Sequence, residues 1–296
     1  MCSTILLALL LTGSAFAADW TTPVPVEGVN TQYDDWIPRL SYDGLSLYFT
    51  RSNTDQFHRC RIYEARRSTP SGSFTEVREV LRSDYDNDVL SPWVSPDNLR
   101  MYYHEEANPW QIKVSQRASV NDPWAQGTAL NLGSIANPSF SSLSQDELTI
   151  VLNTPSGPGG WDMYLATRPN IDSPFGNIQL LDELNTSAVE AAGYFSPDAL
   201  TLYFHSNRNG PTQLFMATRP SLNDPFGNAQ HLSFFDTPGG GSTHPSISSD
   251  GTALYFSRGL TGEMPDIYVS YLVPEPATIA LFLLGIVALR SRKRSG

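Results

Sequence analysis

Hydrophobic and polar positions alternate in short runs along most of this chain, and five of the runs follow one template. The template is Ser-x-Asp, then apolar residues at alternating positions, then two large residues. A clear copy is Ser95-Pro96-Asp97, which leads to Leu99, Met101 and Tyr102-Tyr103. The template aspartates are Asp43, Asp97, Asp146, Asp198 and Asp250. Their spacing of 49 to 54 residues is typical of radial or stacked repeat proteins.

Each repeat contains four strand signals and no stretch with helical periodicity. In the second copy the strands are predicted at Trp93–Ser95, at Leu99–Tyr103, at Ile112–Ser115 and after Trp124. Four short strands in about 50 residues are typical of a propeller blade. The sequence therefore predicts an all-β protein: a five-bladed β-propeller of four-stranded antiparallel blades over residues 18–273.

A second spacing sets the register of the blades. An arginine ends the predicted third strand of four repeats, and an aromatic residue follows seven positions later, in the pairs Arg67/Phe74, Arg117/Trp124, Arg168/Phe175 and Arg219/Phe226. Each of these aromatic residues lies 22 to 24 residues before the template aspartate of the next repeat. Trp20 has the same spacing, because it lies 23 residues before Asp43. Residues 20–29 are therefore predicted to be an outer strand that completes the last blade and closes the ring. The alternatives are an open five-repeat fan and a ring completed by a partner chain.

Both ends of the chain have the composition of targeting segments. Residues 1–17 are predicted to be a signal peptide, with an apolar run over 5–11 and an Ala15-Phe16-Ala17 cleavage site, although no Lys or Arg precedes the run. The alternative for this segment is a buried N-terminal strand. Residues 274–296 contain an uncharged stretch over 277–289, predicted to be a short hydrophobic helix. Its length of about 20 Å is less than a hydrocarbon core, so by length alone it would be a marginal membrane anchor.

Two resemblances to known families follow from these motifs. The C-terminal segment resembles the PEP-CTERM sorting signal, through Pro274, Glu275 and Pro276, the apolar stretch, and the basic residues Arg290, Arg292, Lys293 and Arg294. This resemblance implies an exosortase-type partner and transient membrane anchoring through the C-terminal segment. It also implies export through the inner membrane of a Gram-negative bacterium, to the periplasm, cell surface or extracellular matrix.

The repeats resemble the TolB-type, WD40-like propeller repeat, in Ser95-Pro96-Asp97, Ser196-Pro197-Asp198 and Asp266-Ile267-Tyr268. Asn98, Glu147 and Ala199 depart from the family pattern, which has glycine after the aspartate. The resemblance implies a propeller fold and binding of a protein or ligand, with no single shared chemistry.

Charge narrows the choice of partners. The whole chain has 19 basic and 30 acidic residues, and residues 18–273 keep 15 and 29 of them, a net charge of −14. Nucleic acid and anionic membrane surfaces are therefore not expected as partners. Cys60 is the one cysteine left after removal of residues 1–17, so no intrachain disulfide is expected.

The connections into the inner strands and the loops after the second strands open on one face of a propeller. Polar and aromatic residues of these connections are predicted to form a ligand-binding face, whose candidate residues are Asp35, Trp36, Asp88, His104, Glu105, Glu190, His205, Arg208 and His244. Such a face on a rigid scaffold suits a polar ligand or a carbohydrate. The alternative is that these residues belong to solvated loops with no ligand, since the loops of every propeller are polar.

Three more specific kinds of site are compatible in part with the residues of this face: a calcium loop, a metal site shared by histidines, and a glycosidase carboxylate pair. No catalytic or metal-binding residue is assigned. Asp84-x-Asp86-x-Asp88 has the opening spacing of a calcium loop, but Val89 and Ser95 replace its glycine and terminal glutamate. No other cofactor is expected. A metal shared by His104, His205 and His244 would need long reach between blades. Asp35, Asp88, Glu105 and Glu190 are candidates for a glycosidase pair, which requires a separation of about 5.5 Å for retention or about 6.5–9.5 Å for inversion.

These observations predict an exported, cell-surface-sorted propeller that acts as a non-catalytic binding or scaffolding module, with a polysaccharide or protein as ligand. The alternative is an extracellular carbohydrate-active enzyme, a glycosidase or lyase that uses carboxylates of the same face.

Overall fold

The computed structural model describes residues 20–52, 59–133, 135–260 and 262–273. Five antiparallel sheets, each of four strands, account for nearly all of its regular structure. Blade 1 is β2 (Asp35–Leu40), β3 (Ser46–Ser52), β4 (Cys60–Arg66) and β5 (Glu76–Leu81). Blade 2 is β6 (Val89–Val94), β7 (Arg100–Glu105), β8 (Gln111–Gln116) and β9 (Thr128–Ala129). Blade 3 is β10 (Ser139–Leu143), β11 (Thr149–Gly157), β12 (Gly160–Thr167) and β13 (Gly176–Leu180).

Blade 4 is β14 (Glu190–Phe195), β15 (Thr201–Ser206), β16 (Gln213–Thr218) and β17 (Gln230–His231). Blade 5 is β18 (Gly240–Ile247), β19 (Ala253–Leu260), β20 (Asp266–Tyr271) and β1 (Val24–Pro25). The one helical segment among the described residues is a 3₁₀ turn, Ser233–Phe235. The predicted all-β, five-bladed propeller is confirmed.

The last blade is completed by the N-terminal strand, as predicted. In β1, Val24 and Pro25 pair with Val269 and Tyr268 of β20. The Val26 amide donates to the Ile267 carbonyl at 2.9 Å, and the side chain of Asn30 makes two further bonds of 2.9 Å to the Ile267 backbone. The paired segment is shorter than the predicted 20–29, but it closes the ring and leaves no open fan.

Residues Thr22–Tyr271 form one compact unit, which contains all five sheets. Each inner strand contacts the inner strand of the next blade, and β18 of the last blade contacts β2 of the first. The apolar core lies between neighbouring blades; Trp93 of blade 2, for example, packs in one cluster with Phe140 of blade 3. Outside this unit, Trp20 and Leu272 form an isolated antiparallel bridge with each other.

The Ser-x-Asp template forms the turn between the first and second strands of every blade. In all five copies the serine hydroxyl donates to the aspartate carboxylate at 2.5–2.7 Å. The same carboxylate oxygen accepts the amide two residues later at 3.0–3.1 Å. The residue after the aspartate has φ between 55° and 73° whether it is glycine, Asn98, Glu147 or Ala199. The departures from glycine therefore leave the turn geometry intact.

The arginine of the second motif supports this turn from the third strand. Nε of Arg67, Arg117, Arg168 and Arg219 donates to the carbonyl of the residue after the turn aspartate at 2.7–3.0 Å. Each guanidinium also lies over the aromatic ring seven residues later, with its Cζ atom 4.0–4.7 Å from the ring centroid. A cation on an aromatic face is stabilised by the ring quadrupole, which accounts for the fixed spacing.

The predicted signal peptide and the predicted sorting segment with its helix lie outside the described residues. Within the described part of the chain, no helix has the length and hydrophobicity needed to cross a bilayer.

Candidate ligand-binding site

Every inner strand contains a β-bulge at the same place. The pairing shifts between Trp36 and Arg39 in blade 1, and at equivalent positions in the other four blades. At four of the bulges one residue has φ between 51° and 55°, namely Ile37, Ser91, Ala192 and His244. A bulge bends its strand and redirects a side chain, and bulges are enriched beside functional sites.

The bulges surround one cavity of about 330 Å³. Its lining includes the residue six positions before each turn aspartate, in the order Ile37, Ser91, Phe140, Ala192 and His244. The rest of the lining is Trp36, Leu90, His104, Glu106, Ser139, Asn153, Trp161, Val189, Ala191 and His205. Ligand sites are typically concave, mostly apolar and about 300–1,000 Å³, with few polar groups. The cavity fits that description.

The cavity contains three histidines, all of them predicted site residues. Burial lowers the pKa of His104 to about 4, although the nearby Glu105 opposes the shift. Burial, reinforced by Arg39, lowers the pKa of His205 to about 4. The pKa of His244 is also held well below its ordinary value, by burial and then by His205 and Arg39. All three imidazoles are therefore neutral at pH 7.

Two polar side-chain atoms of the cavity residues, His104 Nε2 and Trp36 Nε1, have no hydrogen-bond partner among the described residues. Nδ1 of His205 accepts the backbone amide of His244 at 3.2 Å, so the proton of neutral His205 is on Nε2. His104 is 2% exposed, and its Nε2 atom has no hydrogen-bond partner among the described residues. Nε1 of Trp36 is likewise buried and without a partner in the described structure.

Arg39 places a positive charge close to two of the histidines. It lies on β2, is 2% exposed, and donates to the carbonyls of His244 and Pro245 at 3.4 and 3.3 Å. Its Cζ atom is 4.9 Å from the centroid of the Tyr194 ring. Among the described residues no carboxylate pairs with it, and burial lowers its pKa to about 10. Arg39 thus joins blades 1, 4 and 5 across the centre of the ring and helps to keep His205 and His244 uncharged.

Two indole rings, those of Trp36 and Trp161, line the cavity. The ring of Trp36 meets that of His244 edge-on at a centroid distance of 5.4 Å, and His244 meets His205 edge-on at 5.0 Å. Trp161 lines the cavity from β12, and the ring of Trp110 lies 6.0 Å from it. The cavity lining therefore combines two indole rings with three neutral imidazoles.

None of the four predicted carboxylates lines the cavity, and three of them are buried in networks of their own. Asp35 accepts the backbone amide and hydroxyl of Thr31 at 2.7 and 2.8 Å, and pairs with Arg51 at 2.6 Å. Burial nevertheless raises the pKa of Asp35. Glu190 accepts the backbone amide and hydroxyl of Thr186 at 2.7 and 2.9 Å. These side chains tie the incoming loop to the blade.

The network of Glu190 also includes the predicted residue Arg208, whose guanidinium lies 3.1 Å from the carboxylate. Glu105 pairs with Lys113 and accepts Ser83 at 2.5 Å and Asn87 at 2.9 Å. Burial opposes ionisation, but these bonds hold the pKa of Glu105 below its usual value.

The remaining predicted residue, Asp88, accepts the backbone amide of Cys60 at 2.7 Å. Asp84 and Asp86 of the candidate calcium loop line a separate surface pocket with three arginines. No group of three or more potential metal ligands occurs in the described ranges. Glu106 is the carboxylate that does line the cavity, and its pKa is raised by burial and by Asp88.

Of the nine predicted site residues, the structure brings four together in the cavity: Trp36, His104, His205 and His244. Sequence reasoning missed the bulge residues Ile37 and Ser91. The sequence does contain a signal for them. The residue five positions before a turn aspartate is a proline after Ile37, Ser91 and His244, and a glycine after Ala192.

Comparisons with known proteins relate the chain to other propellers. The catalytic domain of a GH62 α-L-arabinofuranosidase from Coprinopsis cinerea superimposes with a TM-score of 0.59 at 13% identity, over 86% of this chain and 97% of that one. An endo-arabinase from Bacteroides thetaiotaomicron gives a TM-score of 0.55 at 12% identity, over 86% and 99%. TolB from Acinetobacter baumannii gives 0.50 at 14% identity, over 82% of this chain and 55% of that one.

At these identities the similarity establishes a shared fold and nothing about activity. The chain spans about half the length of that TolB protein. No family model matches the sequence, and no curated protein matches it.

Proposed function

We propose that this protein is an exported, surface-sorted propeller that binds an uncharged saccharide in the cavity and does not cleave it. The observation that carries the proposal is the cavity itself, which is lined by Trp36, Trp161 and three neutral histidines. Loops and strand ends on a rigid scaffold are where propellers usually bind their ligands.

The lining matches the two kinds of surface that a sugar presents. The C–H face of a sugar ring packs on an indole, and its hydroxyls both donate and accept hydrogen bonds. Nε2 of His104 and Nε1 of Trp36 are buried without a partner in the described structure. A hydrogen bond between a sugar hydroxyl and either atom contributes about 0.5–1.5 kcal/mol net, because the hydroxyl gives up a bond to water.

Charge favours a neutral sugar over an acidic one. Residues 18–273 carry a net charge of −14 by the count of 15 basic and 29 acidic residues, and Glu106 lines the cavity. Because the imidazoles are neutral, they do not offset this charge. Like charges across a binding interface cost affinity, so a uronic acid would bind more weakly than its neutral counterpart.

Binding without cleavage is favoured by the placement of the carboxylates. Glycoside hydrolysis ordinarily requires two carboxyl groups that flank the scissile bond. Glu106 is the single carboxylate among the described lining residues, whereas Asp35 and Glu190 are hydrogen-bonded elsewhere. The alternative, a glycosidase, is supported by the shared fold with an endo-arabinase and an arabinofuranosidase. Release of reducing ends from arabinan, abolished by Glu106→Gln, would establish that alternative.

Trp161→Ala is expected to weaken saccharide binding by at least about tenfold, because it removes one aromatic wall of the cavity. The measurement is calorimetric titration with arabino-, xylo- and cello-oligosaccharides. Tyr42→Ala is the matched control, since Tyr42 is an exposed aromatic residue in a Ser-x-Asp turn, away from the cavity lining. Equal affinity of Trp161→Ala and wild type would exclude the cavity as the binding site.

For sorting, we propose that residues 274–296 act as a PEP-CTERM signal read by an exosortase-type enzyme. In an exosortase-bearing Gram-negative host, the full chain is expected at the cell surface. A chain ending at Val273 is expected to be released into the periplasm or medium. Equal surface display of both chains, measured by protease accessibility on intact cells, would rule out this role.

A further inference from the structure

We infer that the cavity is one subsite of a longer saccharide-binding cleft, and that the pair Trp110–Trp161 forms a second subsite beside it. This inference rests on the proposed function, and it adds that the natural ligand is a chain of several sugars. The rings of Trp110 and Trp161 together form what we call the aromatic platform.

The platform is continuous with the cavity. The rings of Trp110 and Trp161 are in contact, inclined by 34° with centroids 6.0 Å apart. Trp161 belongs to both the platform and the cavity lining. Trp110 meets the His104 ring edge-on at 5.0 Å, and His104 is the cavity residue with the unpartnered Nε2 atom. One ligand can therefore contact the cavity and the platform together.

The core does not account for these indoles. Of the six tryptophans, Trp93 and Trp124 are buried members of the apolar clusters between blades. Trp110 and Trp161 belong to none of the four clusters found among the described residues, and both are partly exposed. Adjacent exposed indoles usually mark a binding surface, because large apolar groups are otherwise withdrawn from water.

A neutral polysaccharide fits the platform better than other occupants. The imidazole that joins platform and cavity is uncharged at pH 7, so it offers no cationic anchor to an acidic chain. Sugar rings also repeat along a chain, and a second ring then meets the platform when the first occupies the cavity. A protein partner for the same indoles is the competing occupant, and the experiment separates the two.

The test is affinity as a function of chain length. Arabino-, xylo- and cello-oligosaccharides of two to six units are titrated into the full-length protein by calorimetry. For the series that binds, affinity is expected to rise by about tenfold between the shortest and longest members, as one more aromatic contact forms. In Trp110→Ala the shortest member is expected to keep its affinity and the rise to disappear. Trp161→Ala is expected to weaken every length.

Trp110→Phe keeps a flat aromatic face, so it is expected to retain most of the increase of affinity with chain length. It also replaces Trp110→Ala in the test if the alanine variant folds poorly. Circular dichroism melting of each variant checks the fold. Affinity that does not depend on length, or an unchanged rise in Trp110→Ala, overturns the second subsite but leaves the proposed function standing. An equal loss at all lengths in Trp110→Ala also overturns it, because Trp110 would then act only through His104. No binding by any series overturns both proposals and favours a protein partner.

Discussion

Val26→Asp is expected to lower the free energy of unfolding by roughly 4 kcal/mol. Val26 follows β1, is 6% exposed, and packs with Phe74 and Ile267 in the cluster that joins blades 1 and 5. A carboxylate there would be buried in an apolar environment. It would also displace the segment whose amide bonds to the Ile267 carbonyl. The measurement is urea unfolding followed by tryptophan fluorescence.

Val24→Asp is the matched control, because Val24 lies two residues earlier on β1 and is 49% exposed. Its expected cost is within about 0.5 kcal/mol, as for most surface substitutions. If both variants unfold at the wild-type urea concentration, the N-terminal strand contributes nothing to stability and the ring does not depend on this closure. If both are destabilised equally, burial of Val26 is not the cause.

The blade count could be predicted because the repeated residues have the same structural role in every blade. Asp43 and its four equivalents each bind a serine hydroxyl and a backbone amide in one turn. Arg117 and its equivalents hold the carbonyl of that turn while lying on an aromatic ring. Such local contacts depend on residues a fixed distance apart in the chain, so they leave a periodic signal in the sequence.

The cavity was harder to predict because it depends on a backbone irregularity. Four inner strands place a non-glycine residue at positive φ, including the β-branched Ile37, whose φ is 53°. Such a conformation is strained for that residue type and persists only where the surrounding structure imposes it. A pattern of alternating polar and apolar residues assumes regular strands, so it gives no indication of which side chains a bulge turns toward the centre.

The carboxylates of the predicted ligand-binding face were chosen by residue type alone. In the structure they are hydrogen-bonded to neighbouring residues and do not line the cavity. A carboxylate at a strand end looks the same in the sequence whether it faces a ligand or ties down a loop. Thr31 before Asp35 and Thr186 before Glu190 have the same four-residue spacing, and both threonines donate two hydrogen bonds to the carboxylate. That spacing is the sequence signal of a structural role.

Acid is expected to destabilise the protein well above the pH at which most carboxylates titrate. The pKa values of His104 and His205 are about 4 in the folded protein and 6.5 in an unfolded chain. Below pH 6.5 the unfolded state therefore binds protons that the folded state does not, and stability falls as the pH is lowered toward 4. One pKa unit corresponds to about 1.4 kcal/mol, so each histidine costs about 2 kcal/mol at pH 5. Urea unfolding at pH 7.5 and at pH 5 measures the loss.

His104→Phe isolates one of these contributions, because phenylalanine keeps an aromatic ring against Trp110 and does not titrate. The difference in unfolding free energy between variant and wild type is expected to shift by about 2 kcal/mol in favour of the variant between pH 7.5 and pH 5. Other groups that titrate in this range are present in both proteins, so their contributions largely cancel in the difference. Parallel losses in the two proteins, or an NMR titration of the His104 ring centred near pH 6.5, would mean that this imidazole is not desolvated. The neutral hydrogen-bonding atom assigned to the saccharide site would then be a cation in mildly acidic solution.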